Sequence, residues 1–476
     1  MTTATKGVSK SELLNSGSKD GERLSVSEKL SYGLGDTASN FFFQTFNLFL
    51  LYYYTDVFGI GPAAAGSIFL AARVVDMFSD PIMGVISDRT NSRWGKFRPY
   101  LLWMAIPYGM IGYLMFVVPD ISEQGKLAYA YATYIAMMLA YTAINIPYSA
   151  LLGVISPSST ERTLVSSYRF FGAFAGGLLI SMFVRPLVYA IGGEDNEAFG
   201  FQVTMAIFAA VSVVMFFITF KGTRERVQPP ASQKNNLGED LRALVKNRPW
   251  LILFFVAVFT LANVAARGAA TVYYFKYYVG ASDAPMFLIF DQTSIVMTSG
   301  MLGLIAGVWL SKPLAARFEK RSIMIWFSLA NAASMALFFV TPPDQFWLML
   351  GLSVMGGFLA GPTVPLVWSM YADVADYGEW RWGRRSTGLV FSAALFAQKM
   401  GLAIGGAMAG WYLGLVGFEA GVEQGPAAMM GIRVLFSLFP AGLAAAAIVA
   451  LVFYPLRTAT LTQIERELGA RRGAVE

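Results

Sequence analysis

Two side chains are missing altogether. With no cysteine, the 476-residue chain can form no disulfide and no thiolate metal site. With no histidine, it lacks the imidazole on which most proton shuttles and most zinc, haem and triad chemistry rest. Charge is scarce too: 14% of residues, where a soluble domain carries about 25%. Any titrating group must be a carboxylate, a lysine or a tyrosine. The net charge of +6 does not point to nucleic acid, because the basic residues sit in short loops between apolar segments. The first 29 residues are polar, hold no apolar core of signal-peptide length, and are expected to form a cytoplasmic tail, partly disordered.

What is abundant is apolar. The chain is 56% hydrophobic, with a mean hydropathy of +0.53 and with 38 Phe, 22 Tyr and 10 Trp. Stretches of about 20 apolar residues can cross a bilayer as helices. About twelve occur, near 31–57, 62–88, 98–119, 126–156, 162–191, 199–220, 249–279, 286–314, 321–341, 345–376, 386–416 and 431–455. The expectation is an all-α membrane protein.

The loops differ in charge. DRTNSRWGKFR (88–98), KGTRERVQPPASQKNNLGEDLRALVKNR (221–248), SKPLAARFEKR (311–321) and EWRWGRR (379–385) are basic, and both tails fall on their side. GGEDNEA (192–198), ASDA (281–284) and GFEAGVEQGP (417–426) are acidic or nearly free of Lys and Arg. The positive-inside rule therefore places both termini in the cytoplasm. The long polar interruption at 221–248 divides the spans six and six. The expected units are a tail (1–29), a six-helix bundle (30–220), a linker (221–248), a second bundle (249–455) and a C-terminal tail (456–476). Two six-helix halves match the major-facilitator pattern, with substrate near the midplane between them.

Charges inside such spans cost about 2.5–3.5 kcal/mol each on insertion scales, so they mark function. In the second span, RVVDMFSDPIMG puts Arg73, Asp76 and Asp80 on one helix face at i, i+3 and i+7. Two acids with a hydroxyl from Ser79 make a hard-oxygen cation site, and a raised carboxyl pKa makes a proton carrier; a charge network that only pins helices is the structural alternative. In the first span Asp36, Asn40 and Gln44 form a polar stripe suited to a hydroxyl-rich ligand, or to helix–helix hydrogen bonds. In the fourth, Thr142, Asn145 and Ser149 share a face near Pro147. Arg169 and Lys399 are deep isolated cations, each expected to meet a carboxylate or an anionic substrate, and Arg267 is a third candidate. Arg185 sits close to the outer surface, where snorkelling would suffice, and Asp291 is open to the same reading. The glycines of FGAFAGGLL and GLAIGGAMAG suit close helix packing.

LSYGLGD, YYYTDVFGI, RVVDMFSDPIMGVISDRTNSRWGKFRPY, NIPYSALL, ERTLVSSYRFF, YYFKYYVG and YADVADYGE together resemble the glycoside–pentoside–hexuronide:cation symporters, major-facilitator relatives that include the melibiose and glucuronide carriers. The resemblance runs from about residue 30 to 455. It implies a Na⁺ or H⁺ site at Asp76 and Asp80 with help from Thr142, and no other cofactor. Where the melibiose carrier has asparagine between the two acids, this chain has Ser79, which leaves the ion open. That carrier's two sugar-binding aspartates correspond to Asn40 and Asn145 and its sugar-stacking tryptophan to Ser149, while its arginine and lysine match Arg169 and Lys399. The machinery carries over, but specificity for an α-galactoside does not.

The implied function is cation-coupled symport of a sugar or glycoside across an inner membrane, by alternating access and without enzymatic chemistry. Losing two aspartates while keeping three cations makes an acidic sugar such as a hexuronide an expected substrate, with neutral pentosides the other choice. Lysolipid transport and a non-transporting sugar sensor are the rival readings. The loops around Arg93, Lys96, Arg98, Arg381 and Arg384, with Asp373 and Asp376, are expected to gate the inner side. Their alternative role is plain topology.

Overall fold

The computed structural model describes residues 23–156, 159–193, 195–227, 244–282, 284–383 and 387–473. Twelve helical rods are found among them. α1 (26–57) is followed by α2 (Pro62–Arg89), α3 (98–114, interrupted at Met104), α4 (Glu123–Val154), α5 (Ser159–Gly192) and α6 (Glu197–Gly222). The second set is α7 (Arg248–Val279), α8 (292–317), α9 (Lys320–Val340), α10 (Phe346–Trp382), α11 (Thr387–Leu415) and α12 (Pro426–Val452). A thirteenth helix, α13 (Thr458–Gly473), ends the chain. Eight rods are long and apolar enough to cross a membrane, and nine when the two segments of α8, bent by 44°, count as one. α1 and α2 carry the polar residues named above, and α3 is broken at Met104.

Local chemistry sets the ends. Ser25 caps α1 by accepting from the Glu28 amide at 3.1 Å, so the helix begins at Val26, inside the expected tail. Asn196 and Asn247 cap α6 and α7 in the same way. α1 and α7, the first rods of the two sets, both finish in a π-helical turn, Tyr53–Val57 and Tyr274–Val279. Such turns are rare and cluster at functional sites.

The expected span at 286–314 starts late. Residues 286–290 form a tight hairpin instead, and α8 begins after Asp291. The backbone folds back through Met286 N–H to Phe290 O (2.8 Å) and Phe290 N–H to Phe287 O (3.0 Å). The apolar residues 286–290 give no sign in sequence of the turn that these bonds make.

The buried core shows how the halves meet. One cluster joins α1–α6 to the ends of α7, α11 and α12 farthest from the chain termini, through Tyr52, Phe116, Tyr273, Leu413 and Phe436. A second, separate cluster lies at the terminal end of the second set, with Trp250, Met370 and Tyr371, and α13 joins it through Ile464 and Leu468. The halves therefore share a core at the far end and keep separate cores at the terminal end. Glycine makes the shared end possible. A Cβ on Gly66 of α2 would come 2.7 Å from Ala407 O of α11, and one on Gly268 of α7 would come 2.8 Å from Asn47 O of α1. A larger residue would separate these helices.

Candidate transport site

The α2 face assembles as its spacing suggests. Arg73 Nη1 donates to Asp76 Oδ2 at 2.7 Å, three residues on. Asp80 receives Thr142 Oγ1 from α4 at 2.8 Å on one oxygen, and the Lys399 ammonium from α11 on the other. Ser79 Oγ is buried and has no hydrogen-bond partner. The cluster thus holds two carboxylates, two hydroxyls and two cations, drawn from both halves.

A second cluster lies on α1, α4 and α5. Arg169 Nε is 3.4 Å from Asp36 Oδ1, and its guanidinium lies 5.2 Å from the centre of the Tyr148 ring. Tyr32 and Tyr148 stack at 4.6 Å and each donates its hydroxyl hydrogen to the other's carbonyl. Asn40 Nδ2 donates to Asp36 O at 2.9 Å. Asn145 accepts from Ser39 Oγ at 2.8 Å and donates to Tyr141 O at 3.1 Å. The two amides expected to meet sugar are thus partly engaged by protein. Gln44 packs its amide beside Gly177 of α5. Ser149 lines a separate open cavity of about 560 Å³ with Arg162, Ser166 and Phe170 at the terminal end of α4 and α5.

Between the halves is a smaller cavity of about 70 Å³, walled by Phe43, Phe46, Phe69, Tyr134 and Tyr141 and by Ala265, Ala269 and Gly406 from the second half. Arg73 and Lys399 bring positive charge to it, and Asn47 brings an amide. It has room for several waters. Asn47 was missed in sequence, although it continues the stripe of Asn40 and Gln44 by three residues. Arg267 is not brought there. Its guanidinium lies over Phe338 and Phe436 (4.8 and 4.4 Å) and donates to Phe436 O at 3.2 Å, toward α9 and α12.

At the far end, ion pairs cross from one half to the other. Asp56, in the π turn of α1, receives Lys276 Nζ at 3.3 Å and the Tyr277 hydroxyl, both from the π turn of α7. Thr55 Oγ1 also donates to Asp56 at 2.8 Å, and Lys276 donates to Tyr52 at 2.7 Å. Arg185 of α5 does not snorkel: its Nε pairs with Asp291 at 3.0 Å, with side chains only 6% and 1% exposed. By contrast, Asp80 and Lys399 are 24% and 30% exposed.

The expected gating residues sit at the terminal end. Glu225 accepts from the backbone amides of Lys96, Phe97 and Arg98 at 2.8–3.0 Å, which fixes the loop before α3. Arg98 donates to Phe220 O at 2.6 Å, and Arg93 stacks on Trp94. Asp373 receives Lys320 Nζ at 2.7 Å. Asp376 and Arg381 lie in the last turns of α10, and Arg384 falls outside the described residues. Lys29 pairs with Glu161 at 2.8 Å, and its hydrogen bond holds that carboxyl below its ordinary value. Arg226 pairs with Glu28 at 2.7 Å, tying the start of the linker to α1.

Comparison with known proteins gives this geometry a context. Residues 31–458 match the family model described as MFS/sugar transport protein. The chain is 39% identical over 454 residues to the putative glycoside/cation symporter YagG of Escherichia coli (strain K12), covering 95% of this chain and 96% of that one. It is 35% identical to the isoprimeverose transporter of Lactiplantibacillus pentosus, covering 90% and 88%. The fold is similar to a solved D-xylose-proton symporter, with a TM-score of 0.63 at 14% identity over 90% of this chain and 96% of that one. The chain therefore belongs to the glycoside–pentoside–hexuronide:cation symporters of the major-facilitator superfamily, multi-pass membrane transporters that work by alternating access and are not enzymes.

Proposed function

We propose that this chain carries a sugar or glycoside into the cell together with Na⁺ or H⁺, and that the ion binds at Asp76 and Asp80 with Ser79 and Thr142. The observation behind this reading is the Lys399 ammonium resting on Asp80, beside the Thr142 hydroxyl and the unpartnered Ser79 hydroxyl. An ammonium on a carboxylate stands where a coupling cation would sit. Entry of the ion displaces Lys399, and the freed ammonium already lines the cavity between the halves. An uncompensated ammonium there is costly, so the next event is binding of a group that satisfies it. Ion and substrate thus bind cooperatively, and linkage makes the effect reciprocal.

Charge favours an acidic substrate within this scheme. Arg73 is matched by Asp76 and Arg169 by Asp36, while Lys399 loses its partner when the ion arrives. A carboxylate on the sugar, as in a hexuronide, restores the balance; a neutral pentoside satisfies Lys399 only through hydroxyls. With both termini and the linker in the cytoplasm of an inner-membrane protein, the shared core lies outward and the chain is in an inward-facing state. The two six-helix halves, 30–220 and 249–455, then rock about the site.

Counterflow in reconstituted vesicles tests the proposal. Labelled hexuronide and pentoside are compared with a Na⁺ gradient, a pH gradient or neither. Cation-stimulated exchange with preference for the acidic sugar is expected. Strict preference for neutral sugars removes the charge argument, and exchange indifferent to both gradients removes the coupling site.

A further inference from the structure

Among the described residues, the hairpin before α8 is marked by a run of exposed apolar side chains. Met286, Phe287, Leu288 and Ile289 are consecutive, apolar and exposed, with Phe287 and Leu288 at 66% and 76%. Leu288 sits at φ 55°, the only non-glycine residue with positive φ among the described residues. A leucine is poorly suited to that region, and glycine or asparagine would hold the turn with less strain. A strained turn that presents four apolar side chains to water is disfavoured twice over.

The helix that follows is short. The straight part of α8, Gln292–Val308, has 17 residues. At 1.5 Å per residue it is about 25 Å long, against about 30 Å of hydrocarbon. Beyond it the chain bends by 44° into the basic segment Ser311–Arg317, which suits the opposite interface. The missing apolar height is therefore at the hairpin end. Residues 284–290 carry no charge, and bonds within the hairpin satisfy the amides of Met286, Phe287 and Phe290, while the headgroup zone can supply partners to the tip, as the hydrocarbon interior could not. Phe290 is anchored against Phe183 of α5 with ring centres 6.0 Å apart, so the tip projects from a fixed base.

We propose that the hairpin 286–290 is an interfacial anchor that inserts its apolar tip into the bilayer leaflet at the far end of the bundle. There it completes the eighth crossing and holds Asp291 in register with Arg185. Its partner is a lipid surface. The polar stretch Asp291–Ser294 separates the hairpin from the apolar part of α8, so the tip is a separate apolar surface, and its aromatic and aliphatic side chains are suited to the headgroup boundary.

The cysteine-free chain allows a direct test. Leu288→Cys is labelled with an environment-sensitive fluorophore in the full protein reconstituted into phosphatidylcholine–phosphatidylglycerol vesicles. Ser282→Cys, earlier in the same loop, is the reference, and Ile289→Cys is a second tip site in case Leu288→Cys does not fold. Nitroxide attached near the lipid headgroup is expected to quench the tip label at least threefold more than the reference, with aqueous iodide quenching it less. Equal access of iodide to tip and reference overturns the proposal. So does protection of the tip from both quenchers, which would mean that protein covers it.

Discussion

The ammonium of Lys399, on α11, lies on the carboxylate of Asp80, on α2, and this pair joins the two halves beside the Thr142 hydroxyl. Asp80→Asn removes both the candidate ion ligand and the counter-charge of Lys399. Gradient-driven uptake is expected to fall by at least 100-fold, while cation-independent exchange of labelled substrate persists. Adding Lys399→Met is expected to restore thermal stability lost in the single variant but not uptake. Uptake and unfolding temperature, measured on the same preparations, separate the two effects.

Substitution of Ser79 tests which ion is carried. Its hydroxyl is buried and unpartnered, which is costly unless a ligand arrives. Ser79→Ala is expected to raise the Na⁺ concentration for half-maximal stimulation about fivefold, in line with a net loss of about 1 kcal/mol. The pH dependence of uptake should not move. A shifted pH profile with an unchanged Na⁺ response would assign the proton instead.

The far-end pairs have different weights. Arg185–Asp291 is buried, so Arg185→Leu leaves a carboxylate unpaired and should destabilise the protein by about 3–5 kcal/mol; the double variant with Asp291→Leu should recover most of this. Lys276 is more exposed, and Asp56→Asn is expected to act mainly on conformation. With Asn47→Cys as a reporter in the cavity, its alkylation by a reagent added at the far side should rise several-fold in Asp56→Asn. An unchanged rate would mean that Asp56 does not hold that side closed.

The Lys29–Glu161 tie, which holds α1 to the start of α5, predicts a pH dependence. Because Lys29 depresses the Glu161 carboxyl in the folded state, the tie is fully present above the ordinary glutamate value of about 4.3. It is lost as pH falls further, through the lowered value. The unfolding temperature of Glu161→Gln should therefore lie below that of the unmodified protein at pH 6, with the gap narrowing as the pH is lowered below the ordinary glutamate value of about 4.3. A gap that does not narrow on acidification would assign Glu161 a role other than charge.

What was legible in the sequence followed from local spacing. Arg73, Asp76 and Asp80 could be placed on one face because a helix brings such positions together whatever surrounds it. The glycine-rich runs announced close packing for the same reason. Partners remote in the chain were not legible. Asp291 lies 106 residues from Arg185, and nothing local distinguishes a buried pair from two interfacial charges. Asn40 and Asn145 were read as ligand groups, but their bonds to Asp36 O, Ser39 and Tyr141 O depend on rotamers and helix crossings. Hydropathy likewise ran the eighth span through 286–290, because a turn made by main-chain bonds leaves an apolar run unmarked.

The glycine contact between α2 and α11 has a kinetic consequence. Where Gly66 faces Ala407 O, main chain lies on main chain, and Trp411, whose indole donates to Ser67 Oγ at 3.2 Å, is the nearest side chain that must give way as the helices part. Such a seam contributes contact area with few interlocked side chains. The activation enthalpy for opening the far side should therefore reside largely in the Asp56 and Arg185 ion pairs, making turnover sensitive to ionic strength through the partly exposed Lys276 and insensitive to it at the buried Arg185–Asp291 pair.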